Sequence, residues 1–176
     1  YPLTTPLTSV VDSLLAGNNV ILKPSEHTPL TAVYIKKLWD EYIGYENAFK
    51  IIIGGGDLGG ALVDSKDIDI ISFTGSTRVG KEIAKKCAET LKPLILELGG
   101  KDPMIILKDA DMNRAVESAL FGGFSNAGQT CISVEEVFVE NEIFDAFTEK
   151  MSTKIKNMSS GSDDSMEIGS MIMKAN

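Results

Sequence analysis

With 176 residues, 43% of them hydrophobic, the chain can bury a substantial core, in one large domain or parts of two, and is not a disordered tail. A formal net charge of -8 opposes non-specific contact with nucleic acid or an anionic membrane surface, because holding phosphates requires clustered cations and only Arg78 and Arg114 carry guanidinium groups. The two cysteines, Cys87 and Cys131, sit in different pattern types and do not form a secreted disulfide framework, which points to a reducing, cytoplasmic compartment; no apolar run reaches transmembrane length and no leader opens the chain.

The chain opens on Tyr1 in place of methionine, the expectation for an excised or processed piece. Thr8 to Ala16 is amphipathic and ends at Gly17, a left-handed helix stop, and Asn19 to Leu22 follows as a buried strand. Thr28 with Pro29 behind it starts a helix in which Leu30, Val33, Tyr34, Leu38 and Tyr42 recur at helical spacing. A strand is predicted at Phe49 to Ile53, then a glycine-rich turn and a short helix near Ala61. Ile68 to Phe73 reads as a third strand, and Ser76 as the cap of a helix bearing Val79, Ile83 and Cys87, where Cys87 is a packing residue. This alternation predicts an α/β fold, a doubly wound parallel sheet with crossover helices of the nucleotide-binding kind.

Past Leu98-Gly99-Gly100 the pattern restarts. Met104 to Leu107 is a predicted strand, Asp111 begins a helix through Ala115, Val116, Ala119 and Leu120, Val137 to Val139 is a strand, and Asn141 can cap a helix with Phe144, Phe147 and Met151. The expectation is a Rossmann-like domain over residues 1–99, incomplete at its start, and the first part of a second α/β domain over 100–176, incomplete at its end. Ser159 to Ser165 is a polar loop.

Three segments are candidates for a dinucleotide. Lys23-Pro24-Ser25-Glu26 follows a strand, placing a cation and a carboxylate at its carboxyl end, where open α/β sheets bind ligands; Glu26 could accept from ribose hydroxyls, or Lys23 and Glu26 could be an ordinary surface pair. Gly54 to Gly59 fits G-x-G-x-x-G, a pattern that equally serves chain reversal. Phe73 to Gly80 runs a strand into a helix whose free amides would face a diphosphate. Gly75 to Lys81 also spells most of a phosphate loop, but Glu82 stands where a magnesium-ligating hydroxyl belongs, so a nucleotide hydrolase is the lesser alternative. The cysteines and single histidine lack zinc-ligand spacing, and no metal site is expected.

Two further motifs carry chemistry. Glu97 ends the apolar run Leu94-Ile95-Leu96-Glu97-Leu98-Gly99-Gly100-Lys101, and Cys131 closes Asn126-Ala127-Gly128-Gln129-Thr130-Cys131. An ordinary thiol is mostly protonated at neutral pH, and forming the thiolate costs roughly 2 kcal/mol. A glutamate cannot stabilise a thiolate directly, so its natural work beside one is to take a proton from the thiol or from water. Taken singly, Cys131 could be a small buried hydrophobe and Glu97 a solvated strand end.

Together these motifs, in this order, resemble the aldehyde dehydrogenase superfamily across essentially the whole chain. The resemblance implies aldehyde oxidation by NAD or NADP, NAD favoured, with Cys131 as nucleophile and Glu97 as the base that activates water against a thioester. It implies Lys23 and Glu26 at the ribose, Gly55 and Gly59 on the adenosine side, Gly75, Ser76 and Gly80 around the diphosphate, and Leu98 near the nicotinamide. It implies a small-molecule aldehyde as partner and a homo-oligomer for the full-length protein. The family's oxyanion asparagine would fall just before Tyr1 and its downstream ribose-gripping glutamate is missing, so the piece alone is expected to be inactive. Glu136 stands where relatives often have arginine. A non-catalytic dinucleotide-binding or scaffold module is the reading from another class.

Overall fold

The computed structural model describes residues 1–173, so the last three residues of the expected second domain lie outside the described residues. The chain divides into two compact units, Tyr1–Leu98 and Gly99–Asn176.

The first unit is built from parallel strand pairs with a helix between partners. Helix α1 (Thr4–Leu15) starts earlier than the amphipathic pattern suggests, and Thr8 Oγ1 bonds back to the Thr4 carbonyl at 3.0 Å. It stops where expected: Gly17 is left-handed at φ +85° and its amide reaches the Leu14 carbonyl at 3.0 Å. Strand β1 (Val20–Leu22) pairs in parallel with β2 (Phe49–Ile51) across helix α2 (Pro29–Tyr42), which has its proline in the first turn. Phe49 is fully buried and meets Trp39 of α2 edge-on, with ring centroids 5.6 Å apart.

Helix α3 (Gly56–Asp64) leads to β3 (Ile71–Thr74), which pairs in parallel with β4 (Leu94–Glu97) across α4 (Thr77–Thr90). The predicted strand at Ile68 to Phe73 is thus displaced toward its carboxyl end. Its partner explains why: α4 ends at left-handed Leu91 (φ 56°), the chain turns through Pro93, and the first ladder bond is Ile71 amide to Pro93 carbonyl at 3.1 Å. The ladder begins at Ile71 opposite Leu94, and a strand is defined by its partner as much as by its own apolar run.

In the second unit, β5 (Asp102–Ile106) pairs in parallel with β6 (Val134–Val139) across α5 (Met112–Phe124), and α6 (Asn141–Asn157) follows β6. Asp111 caps α5 by accepting from the Arg114 amide at 2.9 Å. Its inner stripe, Ala115, Val116, Ala119 and Leu120, packs with Ile106 and Phe147 into the core of this unit. The expected cap of α6 is corrected: Asn141 lies inside the helix, and Glu140 stands at the cap position without a side-chain cap bond. Its carboxylate instead accepts from the Lys108 amide, an acceptor in competition that the sequence around Asn141 does not reveal.

The class is α/β with parallel strands, as expected. Among the described residues hydrogen bonding resolves it into three two-stranded sheets, β1-β2, β3-β4 and β5-β6, each closed by a helical crossover.

Candidate functional site

In the first unit the motif residues gather at the carboxyl ends of the strands. The Lys23 ammonium, at the end of β1, donates to the Pro24 carbonyl at 2.9 Å and to the Gly54 carbonyl at 3.0 Å, joining the ends of β1 and β2. Glu26 is the exposed partner, 3.9 Å from Lys23 Nζ. A backbone hydrogen bond and then the Lys23 charge hold the Glu26 carboxyl below the usual carboxylate range, so it is an anion at neutral pH and an acceptor only. His27 lies in the loop, where its amide bonds to Ser25 Oγ at 3.3 Å.

The glycine-rich segment is a turn only at Gly54 and Gly55; Gly56 to Gly59 already form the first turn of α3. Gly55 is its extended N-cap. A β-carbon at Gly59 would sit 3.5 Å from Lys23 Cε, in ordinary contact, so the lysine stem lies against this turn.

The Gly75 amide donates to the Glu97 carbonyl at 3.0 Å, and Thr74 pairs with Glu97 in register, so the phosphate-type turn and the candidate base share one strand end. Glu97 is exposed there. Ser76 Oγ caps α4 by accepting from the Val79 amide at 3.3 Å; the other amides of the first turn have no partner within the helix. Gly80, buried in α4, faces Leu98: a β-carbon at position 80 would stand 2.7 Å from Leu98 Cδ2. Glu82 pairs with Arg78 at 3.0 Å, placing a carboxylate on the helix turn where a phosphate loop needs a hydroxyl.

Cys131 belongs to the second unit. It is exposed, whereas Cys87 is buried in α4, and both are free. The route into Cys131 is unusual. After α5 the chain makes a short 3-10 turn at Ser125–Gly128 in which Asn126 (φ 53°, ψ 35°) and Ala127 (φ 56°, ψ 34°) are left-handed, followed by Gly128 at φ +74°. For a residue with a β-carbon that conformation costs roughly 1–2 kcal/mol. A side chain at Gly128 would be strained by its positive φ, and its β-carbon would press on the Gly123 carbonyl oxygen at 3.2 Å.

Past Cys131, Ser133 is 4% exposed and donates from Oγ to the Gly122 carbonyl at 3.1 Å. The end of α5 tolerates this approach because it is glycine: a β-carbon at Gly122 would fall 2.7 Å from Val134 Cγ2. Sequence reasoning passed over Gly122, Gly123 and Ser133, and quoted Asn126 and Gln129 within the Cys131 motif without giving them a role. The adjacent glycines inside a helical pattern were the available signal, since glycine there is costly unless another segment must come close.

Lys101, before β5, pairs with Glu135 at 2.9 Å; that bond, with the Glu135 and Glu136 charges, raises its pKa. Among the described residues no group of three or more His, Cys, Asp or Glu could hold a metal ion. No helix among them is long and apolar enough to cross a membrane.

The family model for the aldehyde dehydrogenase family matches residues 1–176. The chain belongs to the aldehyde dehydrogenase family. It is 37% identical to a D-glyceraldehyde dehydrogenase (NADP(+)) of Picrophilus torridus over 99% of the chain and 36% of that relative. It is 38% identical to a betaine aldehyde dehydrogenase of Bacillus subtilis over 92% of the chain and 33% of that relative. The chain thus spans about a third of the length of the curated relatives it matches. Among solved structures, an aldehyde dehydrogenase from Bacillus cereus in complex with NAD+ superposes with a TM-score of 0.95 at 36% identity, covering 99% of this chain and 36% of that one.

Proposed function

We propose that the protein containing this chain oxidises an aldehyde to its carboxylate with NAD or NADP, with residues 1–99 serving the cofactor and residues from 100 onward beginning the catalytic domain. The observation that carries the reading is the state of the two thiols inside a family match over the full chain: Cys131 is exposed at the end of a left-handed turn, and Cys87 is packed away. A nucleophile must be reachable by a carbonyl compound, and only Cys131 is.

The donor set of the first unit fits a dinucleotide. The anionic Glu26 suits ribose hydroxyls, with Lys23 beside it. Gly55 and Gly59 leave room on the adenosine side, and the α4 start, bounded by Gly75, Ser76 and Gly80, would turn its first-turn amides at Thr77 and Arg78 toward a diphosphate, since the Gly75 and Gly80 amides are taken by the Glu97 and Ser76 carbonyls. Leu98, seated against Gly80, would border the nicotinamide. Bound there, the cofactor supplies the hydride acceptor. A carboxylate at Glu26 disfavours a 2′-phosphate, so NAD is the expected partner.

In the proposed cycle Glu97 takes the Cys131 thiol proton and passes it to solvent, the sulfur adds to the carbonyl carbon, and the Cys131 backbone amide donates to the resulting oxyanion. Loss of hydride leaves a thioester on Cys131. Glu97 takes a proton from water, the hydroxide adds to the thioester, and the C–S bond breaks to return the thiolate and release the acid. Two free cysteines suit a reducing compartment, which supports a cytoplasmic setting, and the whole protein is proposed to be a homo-oligomer.

The test is aldehyde-dependent reduction of NAD by the whole protein. Turnover that disappears in Cys131→Ala and survives in Cys87→Ala is expected; turnover unchanged in Cys131→Ala refutes the assignment. A non-catalytic dinucleotide module would bind NAD and reduce none with any aldehyde.

A further inference from the structure

We infer that Gln129 is a positioning residue for the Cys131 sulfur, acting through a reciprocal amide clamp with Asn126 and a tie to the backbone of Ile172. The inference rests on the proposed role of Cys131 as nucleophile.

The left-handed turn ahead of Cys131 does not persist on its own preferences. Gly128 adopts it freely and Asn126 tolerates it, but Ala127 has neither the freedom of glycine nor a polar side chain to offset the strain. Such a conformation survives only where the surroundings over-determine it. Here they do. The Asn126 carbonyl accepts from the Gln129 backbone amide at 3.1 Å and from Gln129 Nε2 at 3.0 Å, while Asn126 Nδ2 donates to the Gln129 carbonyl at 3.0 Å.

The far end of the same side chain is used as well. Gln129 Oε1 accepts from the Ile172 amide at 2.9 Å, joining the turn to a segment distant in sequence. The partners fix the orientation of the side-chain amide: a carbonyl must face its nitrogen and an N–H its oxygen, so the flipped rotamer would break both bonds. Only a primary amide can donate and accept in this way. Glutamate of equal size lacks the donor, and methionine lacks both functions.

Downstream, Ser133 anchors the chain to the end of α5 through its bond to the Gly122 carbonyl, and its amide bonds to the Thr130 carbonyl at 3.0 Å. Cys131 therefore lies on a short stretch held on both sides, by Gln129 before it and Ser133 after it. Of these anchors Ser133 is buried, and the Gln129 clamp is the one that also fixes the strained turn. Sub-ångström placement of a nucleophile matters: a misplacement of about 1 Å can cost about 10²-fold in rate.

The test uses the whole protein with Gln129→Met and Gln129→Glu. Peptide-resolved hydrogen exchange over residues 125–131 should accelerate by about tenfold or more in both variants as the turn opens. In steady-state kinetics, with kcat referred to the folded fraction measured by urea unfolding of the same preparation, kcat should fall by about 10²-fold while the KM for NAD stays at the wild-type value; a fall in kcat that only matches the loss of folded protein would overturn the inference. Adding Ala127→Gly to Gln129→Met should recover part of kcat, because glycine takes the left-handed conformation without the clamp. Should Gln129→Met fail to fold, Gln129→Glu carries the decision, since it keeps an acceptor for the Ile172 amide.

Wild-type exchange over 125–131, wild-type kcat in the folded variants, or a double variant no faster than Gln129→Met would each overturn the inference. A wild-type protein that oxidises no aldehyde would instead strike the proposed function, and the exchange measurement would still judge the clamp.

Discussion

Replacing Gly80 by alanine should weaken folding and cofactor binding together, through Leu98. The added β-carbon would lie 2.7 Å from Leu98 Cδ2, 3.0 Å from Cδ1 and 3.4 Å from Cγ. The favourable separation for carbon pairs is about 3.5–4.0 Å, so the nearest contact intrudes by roughly 1 Å. Overpacking of a filled site costs about 1–3 kcal/mol, and because the obstacle is the free end of a leucine the lower half of that range, about 1–2 kcal/mol, is expected. Leu98 directly follows Glu97, so its displacement also disturbs the strand end assigned to the nicotinamide. Urea unfolding should show the loss of stability, and calorimetric titration with NAD a weaker Kd. The double variant Gly80→Ala/Leu98→Ala removes the clash and should lose less than the two single variants summed, with a coupling of about 0.5–2 kcal/mol, bounded by the clash relieved. Strict additivity, or a Gly80→Ala protein with wild-type stability and wild-type Kd, would refute the reasoning.

Other consequences follow from the same geometry. Phe49→Ala removes a fully buried ring and its edge contact with Trp39, and should cost about 3–5 kcal/mol in denaturant unfolding. Glu26→Gln should raise affinity for NADP relative to NAD, measured as the ratio of their kcat/KM values. Because the Glu26 carboxyl is held below the usual range in the folded protein, the discrimination against NADP is present at neutral pH and persists as pH falls through the ordinary carboxylate range. It should weaken in part as the 2′-phosphate of NADP takes its second proton, at about pH 6, and be lost only at lower pH, as the carboxyl protonates; an NADP/NAD ratio in Glu26→Gln equal to that of the wild type at neutral pH would assign the preference to another group.

Much of the fold was legible because its elements carry their own signals. Pro29 at the start of α2, Gly17 after α1, Ser76 ahead of α4 and Asp111 ahead of α5 all act where a single-residue property dictates. Where the sequence misleads, a partner decides. Ile68 and Ile70 look like strand and are not, because the ladder with β4 begins at Ile71 opposite Leu94. Asn141 looks like a cap, but Glu140 holds that position and is drawn to the Lys108 amide.

The site divides in the same way. Glu97, Cys131 and the glycine segments are visible as motifs, because their chemistry resides in residue type. The left-handed turn at Asn126 and Ala127 is not, since alanine gives no local hint of positive φ. The bond from Ser133 to Gly122 and that from Ile172 to Gln129 join residues far apart in sequence, and neither has a local signature.

The most direct test of the central claim, that Cys131 forms the covalent intermediate which Glu97 helps to hydrolyse, is intact-mass and peptide mass spectrometry of the whole protein bearing Glu97→Gln, after mixing with NAD and an aldehyde substrate. Accumulation of one acyl group on the peptide containing Cys131, with steady-state turnover suppressed, is predicted. An unmodified Cys131 with undiminished turnover, or an acyl group on Cys87, would contradict it.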